Sequence, residues 1–257
     1  MEIDNPRFKI HRLGSVESTN KYCEALDLMQ VGDFTCFWAS EQTAGIGQRG
    51  NHWESAPGEN LTFSMVLHPT FMSADRQFRL TEAISLAIVD FLSPFTSHIT
   101  PTIKWPNDIY VGGKKICGTL ISNRVTIQAI THSDNLAIIS SAVCGIGLNV
   151  NQTAFPDWVP NPISLGMLTG RLYDLEPLLM QLLHSIEVRY NALREGVDME
   201  QEYLGCLLNL GIAARYKYEE KEIVATITGV DPHGRLLLTA EDGRRLSCGM
   251  KEIALLS

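Results

Sequence analysis

The sequence has no long apolar run, no basic stripe, no C-x-x-C pair and no histidine cluster, and each absence removes a class of function. No stretch approaches the roughly 18 uncharged apolar residues of a membrane span, and the opening MEIDNPRFKIHR lacks the apolar core of a signal peptide, so a cytoplasmic protein without a membrane partner is expected. Twenty-nine acidic residues against 21 basic ones give a net charge of −8, and the basic residues are scattered. That pattern argues against nucleic acid as a partner. The six cysteines fall largely in apolar runs such as Phe34 to Trp38 and Ala142 to Ile146, which suits buried small hydrophobes better than a disulfide framework or zinc site. The seven histidines show no ligand spacing, so no protein-held metal is expected. Internal repeats and low-complexity segments are also lacking.

What is present suits one substantial core and a small second module: 257 residues, 45% of them hydrophobic. Phe8 to Leu13 alternates like a strand. Ser18 and Thr19 can cap a helix carrying Tyr22, Ala25, Leu26 and Met29 at helical spacing. Phe34 to Ser40 and Leu61 to His68 read as strands, joined by a polar, glycine-rich loop of a length that is usually functional. A helix is predicted over Arg76 to Phe91, then a strand over Thr100 to Lys104. Strands Ile109 to Val111 and Lys115 to Ser122 flank the turn pair Gly112-Gly113, with further β runs over Val125 to Ile130 and Leu136 to Val150. Helices follow at about Leu175 to Leu193, with Pro177 near the first turn, and at Met199 to Leu208. Beyond Gly211 short β runs punctuated by turn residues suggest a small all-β module packed on the larger domain.

Three constellations could carry chemistry. Residues Gly45 to Gly50 formally fit G-x-G-x-x-G, but Pro57, Gly58 and a strand follow where a dinucleotide fold needs a helix. No H-R-D or D-F-G segment supports a kinase glycine loop. The segment is either a surface loop or one whose backbone approaches an anion. Lys104-Trp105-Pro106-Asn107-Asp108 joins two strands, with Lys114, Lys115 and Gly118 downstream; it is either a β-turn with an Asx cap or a polar site in which Asn107 meets a base edge. Gly145-Ile146-Gly147-Leu148-Asn149 is a strand with glycines at a close approach or at a β-bulge.

These segments, together with Ser18-Thr19-Asn20 and Glu41-Gln42-Thr43-Ala44-Gly45, occur in the order and rough spacing of the biotin protein ligases, which the chain resembles over nearly its whole length. The resemblance implies an α+β fold. A mixed β-sheet with flanking helices, the class II synthetase-like biotin/lipoate ligase catalytic domain, would span residues 1–209, and a small SH3-like β-barrel residues 210–257. No stretch precedes Phe8 for the helix-turn-helix of some members, which implies a short form that is not also a repressor.

The implied activity is ATP-dependent: biotin becomes biotinyl-5′-AMP with release of pyrophosphate, and biotin then passes to a lysine of a biotin carboxyl carrier protein. By the same resemblance, Ser18, Thr19, Asn20, Gln42, Gly45, Ile46, Lys115 and Gly118 would meet biotin. Arg49, Trp53, Asn107, Asn149 and Lys115 would meet ATP, with Trp53 stacking on the adenine after loop closure. Lys115, Arg49, Lys104 and Asp108 would serve catalysis by bringing two anions together, with Asp108 also polarising the attacking amine. Magnesium would be held mainly by phosphates, with Asp108 in its shell. Whether a homodimer forms is left open. One departure stands out: the family's loop usually reads G-R-G, and this chain has Ile46 in place of the arginine. A lipoate ligase shares the fold and the adenylation chemistry, but its R-R-x-S-G-G-G loop is absent. A catalytically weakened biotin-binding protein is a second alternative, resting on Ile46.

Overall fold

The computed structural model describes residues 2–3, 7–96, 98–129 and 135–256, the side chains of 2, 3 and 49 excepted. Eight strands form the main sheet: β1 (Glu2–Ile3), β2 (Lys9–Val16), β3 (Thr35–Gln42), β4 (Leu61–Leu67), β5 (Thr102–Lys104), β6 (Asp108–Val111), β7 (Lys114–Ala129) and β8 (Asn135–Leu148). Their order is β1-β2-β3-β4-β8-β7-β6-β5. The β2–β3 pair is parallel, and the others are antiparallel. The sheet is therefore mixed, as expected.

Strand β4, reading LTFSMVL, shows how the two faces arise from a period of two. Leu61, Phe63, Met65 and Leu67 point to one face and join Cys144, Ile146 and Leu148 of β8 in the main core. Helices α2 (Phe78–Thr96) and α4 (Leu175–Arg194) contribute to that core and pack on each other. Thr62, Ser64 and Val66 point to the other face, toward α1 (Thr19–Glu24). A smaller core of Cys23, Leu28, Phe37, Val66 and Val143 holds α1 there.

Several boundaries differ from expectation. Helix α1 stops at Glu24, and Met29 is 69% exposed, so the apolar stripe read toward Met29 does not exist. The helix instead buries Thr19, Asn20 and Cys23, which is tolerable because Gln42 and Ser64 supply polar partners. The Ser18 side chain makes no cap bond. Helix α2 begins after a 3-10 turn at Ala74–Arg76 and runs on to Thr96, with the Ser93 hydroxyl donating to Val89 O at 2.8 Å ahead of Pro94. The two β runs expected between Lys115 and Ile130 are one strand, β7, with a register irregularity between Arg124 and Val125; Ile130 lies outside the described residues.

Short helices α3 (Leu165–Thr169) and α5 (Glu200–Gly205) flank α4 in sequence. Strands β9 (Ala213–Tyr218), β10 (Lys221–Val230), β11 (Leu236–Ala240), β12 (Arg245–Cys248) and β13 (Ile253–Leu255) then form an antiparallel sheet in the order β12-β11-β10-β9-β13. Its Tyr216, Ile227, Leu236 and Ile253 belong to the same core as the main sheet. Among the described residues no helix is long and apolar enough to cross a membrane.

Candidate functional site

The α1 side of the main sheet is thinned by glycine where β7 and β8 run together: Gly118 is paired with Gly147, and Leu120 with Gly145. A Cβ at Gly145 would fall on the Asn20 amide, and one at Gly147 on the Trp53 indole. The register through 145–147 is continuous, so these glycines mark close approach and not a bulge. Around them a small pocket of about 40 Å³ is lined by Ser18, Thr19, Asn20, Gln42, Ile46 and Trp53, with Lys115 and Asp108 at one end.

One side of the pocket's polar wall is bonded to itself, while Trp53 Nε1 and Thr119 Oγ1, on residues that also line it, have no partner. Gln42 Oε1 accepts from the Thr19 N–H at 2.7 Å and from its hydroxyl at 3.1 Å. The Ser64 hydroxyl lies 2.8 Å from Thr19 Oγ1 and 2.7 Å from Asn20 Oδ1. Asn20 Nδ2 donates to Leu120 O at 3.2 Å, so both ends of that amide are held by protein. Ser64 belongs to none of the sequence motifs, although the alternation of β4 places its hydroxyl on this face.

The loop after β3 is more ordered than its composition suggests. Gly47 N–H donates to Asn51 O at 2.7 Å and Trp53 N–H to Gly45 O at 2.9 Å, while Ile46 bridges His52 across a 3-10 turn at Gln48–Gly50. Gly45 lies against the Trp53 backbone with no room for a Cβ. This fold-back lays the Trp53 indole over Gly147 and Gly118. Of the residues expected here, the Arg49 side chain lies outside the described residues.

Lys104-Trp105-Pro106-Asn107-Asp108 is the β5–β6 hairpin turn, with a cis Trp105–Pro106 peptide. Asn107 is not a local Asx cap: its Nδ2 donates to Thr119 O of β7 at 2.8 Å, and its buried Oδ1 has no partner. Asp108 forms an ion pair with Lys115 at 2.7 Å, and Lys115 Nζ lies 5.7 Å from the Trp53 ring centre. Burial draws the Lys104 ammonium below its ordinary pKa; Asp108 opposes that shift and Lys115 adds to it. Three charges of mixed sign thus meet beside the pocket.

Outside this cluster lies a cavity of about 360 Å³ walled by His52, Trp53, Phe155, Trp158 and Pro162, with Asn149 and Lys115 on its floor. Lys115 N–H donates to Asn161 O at 2.8 Å, and Ile163 N–H donates to Lys115 O at 3.0 Å, which lays the 155–163 segment across the lysine. Asn149 Nδ2 donates to Ile163 O at 3.0 Å, leaving its buried Oδ1 as an acceptor without a donor. Trp158, 55% exposed and ring to ring with His52 at 5.6 Å, was missed in the sequence. Its only signal there is an isolated tryptophan between Pro156 and Pro160.

Residues 14–136 match the family described as Biotin/lipoate A/B protein ligase. The chain is 29% identical over 233 residues to the bifunctional ligase/repressor BirA of Bacillus subtilis, covering 89% of this chain and 68% of that protein. It is 28% identical to the biotin–[acetyl-CoA-carboxylase] ligase of Paracoccus denitrificans, covering 91% and 95% respectively. The biotin protein ligase of Aquifex aeolicus in complex with biotin and ATP overlays 96% of this chain on 98% of its own, with a TM-score of 0.75 at 25% identity. The family match, these relatives and this structure support reading the chain as a biotin protein ligase. It is a ligase enzyme, and its whole α+β architecture, including the second antiparallel sheet, is that of the family's biotin protein ligases.

Proposed function

We propose that this ligase activates biotin with ATP to biotinyl-5′-AMP and transfers the biotinyl group to a lysine of a biotin carboxyl carrier protein. The carrying observation is the pairing of two unlike recesses across Lys115: a polar, hydrogen-bonded pocket and an aromatic-walled cavity with an unpartnered amide oxygen. We further take residues 1–209 as the catalytic domain, residues 210–257 as an SH3-like module, and the cytoplasm as the site of action.

Biotin's ureido group has two donors and one acceptor. With Gln42 Oε1 already engaged by Thr19, Gln42 Nε2 would donate to the ureido oxygen, and Ser18 and Thr19 supply further polar atoms. A dithiolane ring could not satisfy such a wall, which favours biotin over lipoate. The 40 Å³ void is far below the roughly 300–1,000 Å³ of ordinary ligand sites, so Trp53 and its loop must lift off Gly147 as biotin enters.

ATP's purine fits the outer cavity, where Asn149 Oδ1 can accept from its exocyclic amine and Trp158 offers a stacking face. A carboxylate oxygen of biotin then attacks the α-phosphorus and pyrophosphate leaves. Lys115 and Lys104 draw the two anions together, a role that the family resemblance also gives to Arg49. In the second step the carrier's lysine amine attacks the anhydride carbonyl, AMP leaves as an amide forms, and Asp108 accepts the amine's proton once Lys115 turns to the phosphate. Magnesium would be held mainly through phosphates, with Asp108 helping in its shell. When bound, it would neutralise polyphosphate charge.

The test is mass spectrometry of a carrier domain after incubation with the protein, ATP, magnesium and equal biotin and lipoate. Biotin's mass on the carrier is the expected result; lipoate's mass, or none, would overturn the reading.

A further inference from the structure

The 104–108 turn carries Lys104 and Asp108, yet most of what holds it lies outside the pocket. Strand β7 binds it through Asn107, as described. On its other side, Tyr203 of α5, fully buried, donates from its hydroxyl to Pro106 O at 2.6 Å. Trp105 Nε1 donates to Gly234 O, at the β10–β11 turn of the second sheet, at 3.1 Å. The main chain of the turn is thus held by α5, and its tryptophan by the second sheet.

Both anchors are themselves rigid. In the 231–235 turn, Asp231 Oδ1 accepts the His233 and Arg235 N–H groups, each at 2.9 Å, and Gly234 N–H donates to Asp231 O at 2.8 Å. Gly234 has φ +82°, and a Cβ there would run into the Phe78 ring, so glycine is required both by conformation and by space. The same Phe78 ring meets Tyr203 edge-on at 5.5 Å. Phe78 therefore sets the two anchors in register with each other. Helix α5 is fixed by Arg189, whose guanidinium reaches both oxygens of Asp90 on α2, at 2.6 and 2.9 Å, and both oxygens of Glu202, each at 2.6 Å.

We propose that Tyr203 and Trp105 are positioning residues: through them α5 and the second sheet hold the 104–108 turn where Lys104 and Asp108 serve the joining of carboxylate and α-phosphate. The proposal rests on the ligase reading above. A displacement of about 1 Å in a group acting on the transition state can reduce the rate on the order of 100-fold, while ligand binding on the far side of Lys115 is little affected. The second sheet thereby becomes part of the catalytic apparatus without touching substrate.

The test uses the full-length chain and biotin-dependent exchange of pyrophosphate into ATP. Tyr203→Phe removes one donor and keeps the ring, while Trp105→Phe removes the indole donor and trims the side chain to a phenyl, so each should lower kcat by at least about 3- to 10-fold, the range of one lost hydrogen bond. KM for biotin should stay at the parent value, with thermal midpoints close to the parent's. The double variant should lose less than the product of the single losses, because both bonds restrain one turn. Gly234→Ala, which pushes on Phe78, should reproduce the kcat loss. Unchanged kcat in both single variants, or a loss of biotin affinity matching the loss of kcat, would overturn the proposal. Absence of exchange in the parent with biotin would instead overturn the ligase reading, and the positioning role with it.

Discussion

The two recesses on either side of Lys115 are built on opposite principles. The inner pocket is small and buried, and on one wall Thr19, Asn20, Gln42 and Ser64 answer one another. The outer cavity is about nine times larger, 360 against 40 Å³, and its floor carries an amide oxygen with no donor. A wall bonded to itself, as at Thr19, Asn20 and Gln42, keeps its shape without ligand and gives selectivity. An unsatisfied one gains more when a ligand supplies the missing donor. On the proposed reading the contrast gives an order: the inner ligand displaces Trp53, and only then is the boundary between the recesses set for the outer one.

The sharpest way to break this picture is at the boundary itself. If Lys115 lies between the two reacting anions, Lys115→Ala should reduce adenylate formation by about 100- to 1,000-fold, the cost of losing one preorganised electrostatic group. Pyrophosphate release checks it; a parental rate would show that Lys115 does not lie between the anions.

Next in size is the departure at Ile46, which lines the inner pocket and bridges His52. If an arginine there clamps the adenylate's phosphate, Ile46→Arg should slow escape of biotinyl-adenylate by roughly 10- to 150-fold, the worth of a charge-assisted contact of about 1.5–3 kcal/mol. The gain should appear in the off-rate, since a short-range contact leaves entry unchanged. Dissociation of the adenylate, followed after rapid dilution, reads it directly.

The two tryptophans separate the recesses. Trp158→Ala should weaken ATP binding by about 10-fold while sparing biotin, in line with the worth of one stacked base. Trp53→Ala should disturb both ligands, because its indole lines both recesses. Calorimetric titration with each ligand distinguishes the cases. If Trp158→Ala leaves ATP binding intact, then Trp53 alone is the adenine platform that the family resemblance implied.

Much of this arrangement is legible in the sequence where local chemistry and tertiary demand coincide. The period of β4, the Gly112-Gly113 hairpin and helix α4 with Pro177 in its first turn follow their patterns because burial there rewards the local preference. Gly145 and Gly147 announce a close approach, though only the fold shows that Asn20 and Trp53 make it. The failures fall where tertiary partners override local signals. Helix α1 buries a polar face because strands on other elements answer it, and Asn107 leaves its own turn to bind β7. Trp158 is invisible because nothing local ties it to Lys115; that link is a pair of backbone bonds to the 161–163 segment.

The smallest expected effect probes the inner wall from behind. Ser64 is fully buried on β4, beneath Thr19 and Asn20, and makes hydrogen-bonding contact with both. In the proposed complex it does not reach the ligand; it fixes the two residues that frame the ligand's site. Ser64→Ala leaves the strand's packing nearly unchanged but deprives a buried hydroxyl and a buried amide of one contact each. The Asn20 amide, still tied to Leu120 O, keeps its place, whereas Thr19 retains only Gln42. Biotin affinity should fall by about 3- to 10-fold, the worth of one such bond, and ATP affinity measured without biotin should stay at the parental value. If biotin binds the variant as tightly as the parent, the inner wall is not held by this network. Its shape would then be imposed by the ligand, and the contrast between a preformed inner pocket and a ligand-completed outer one would fail.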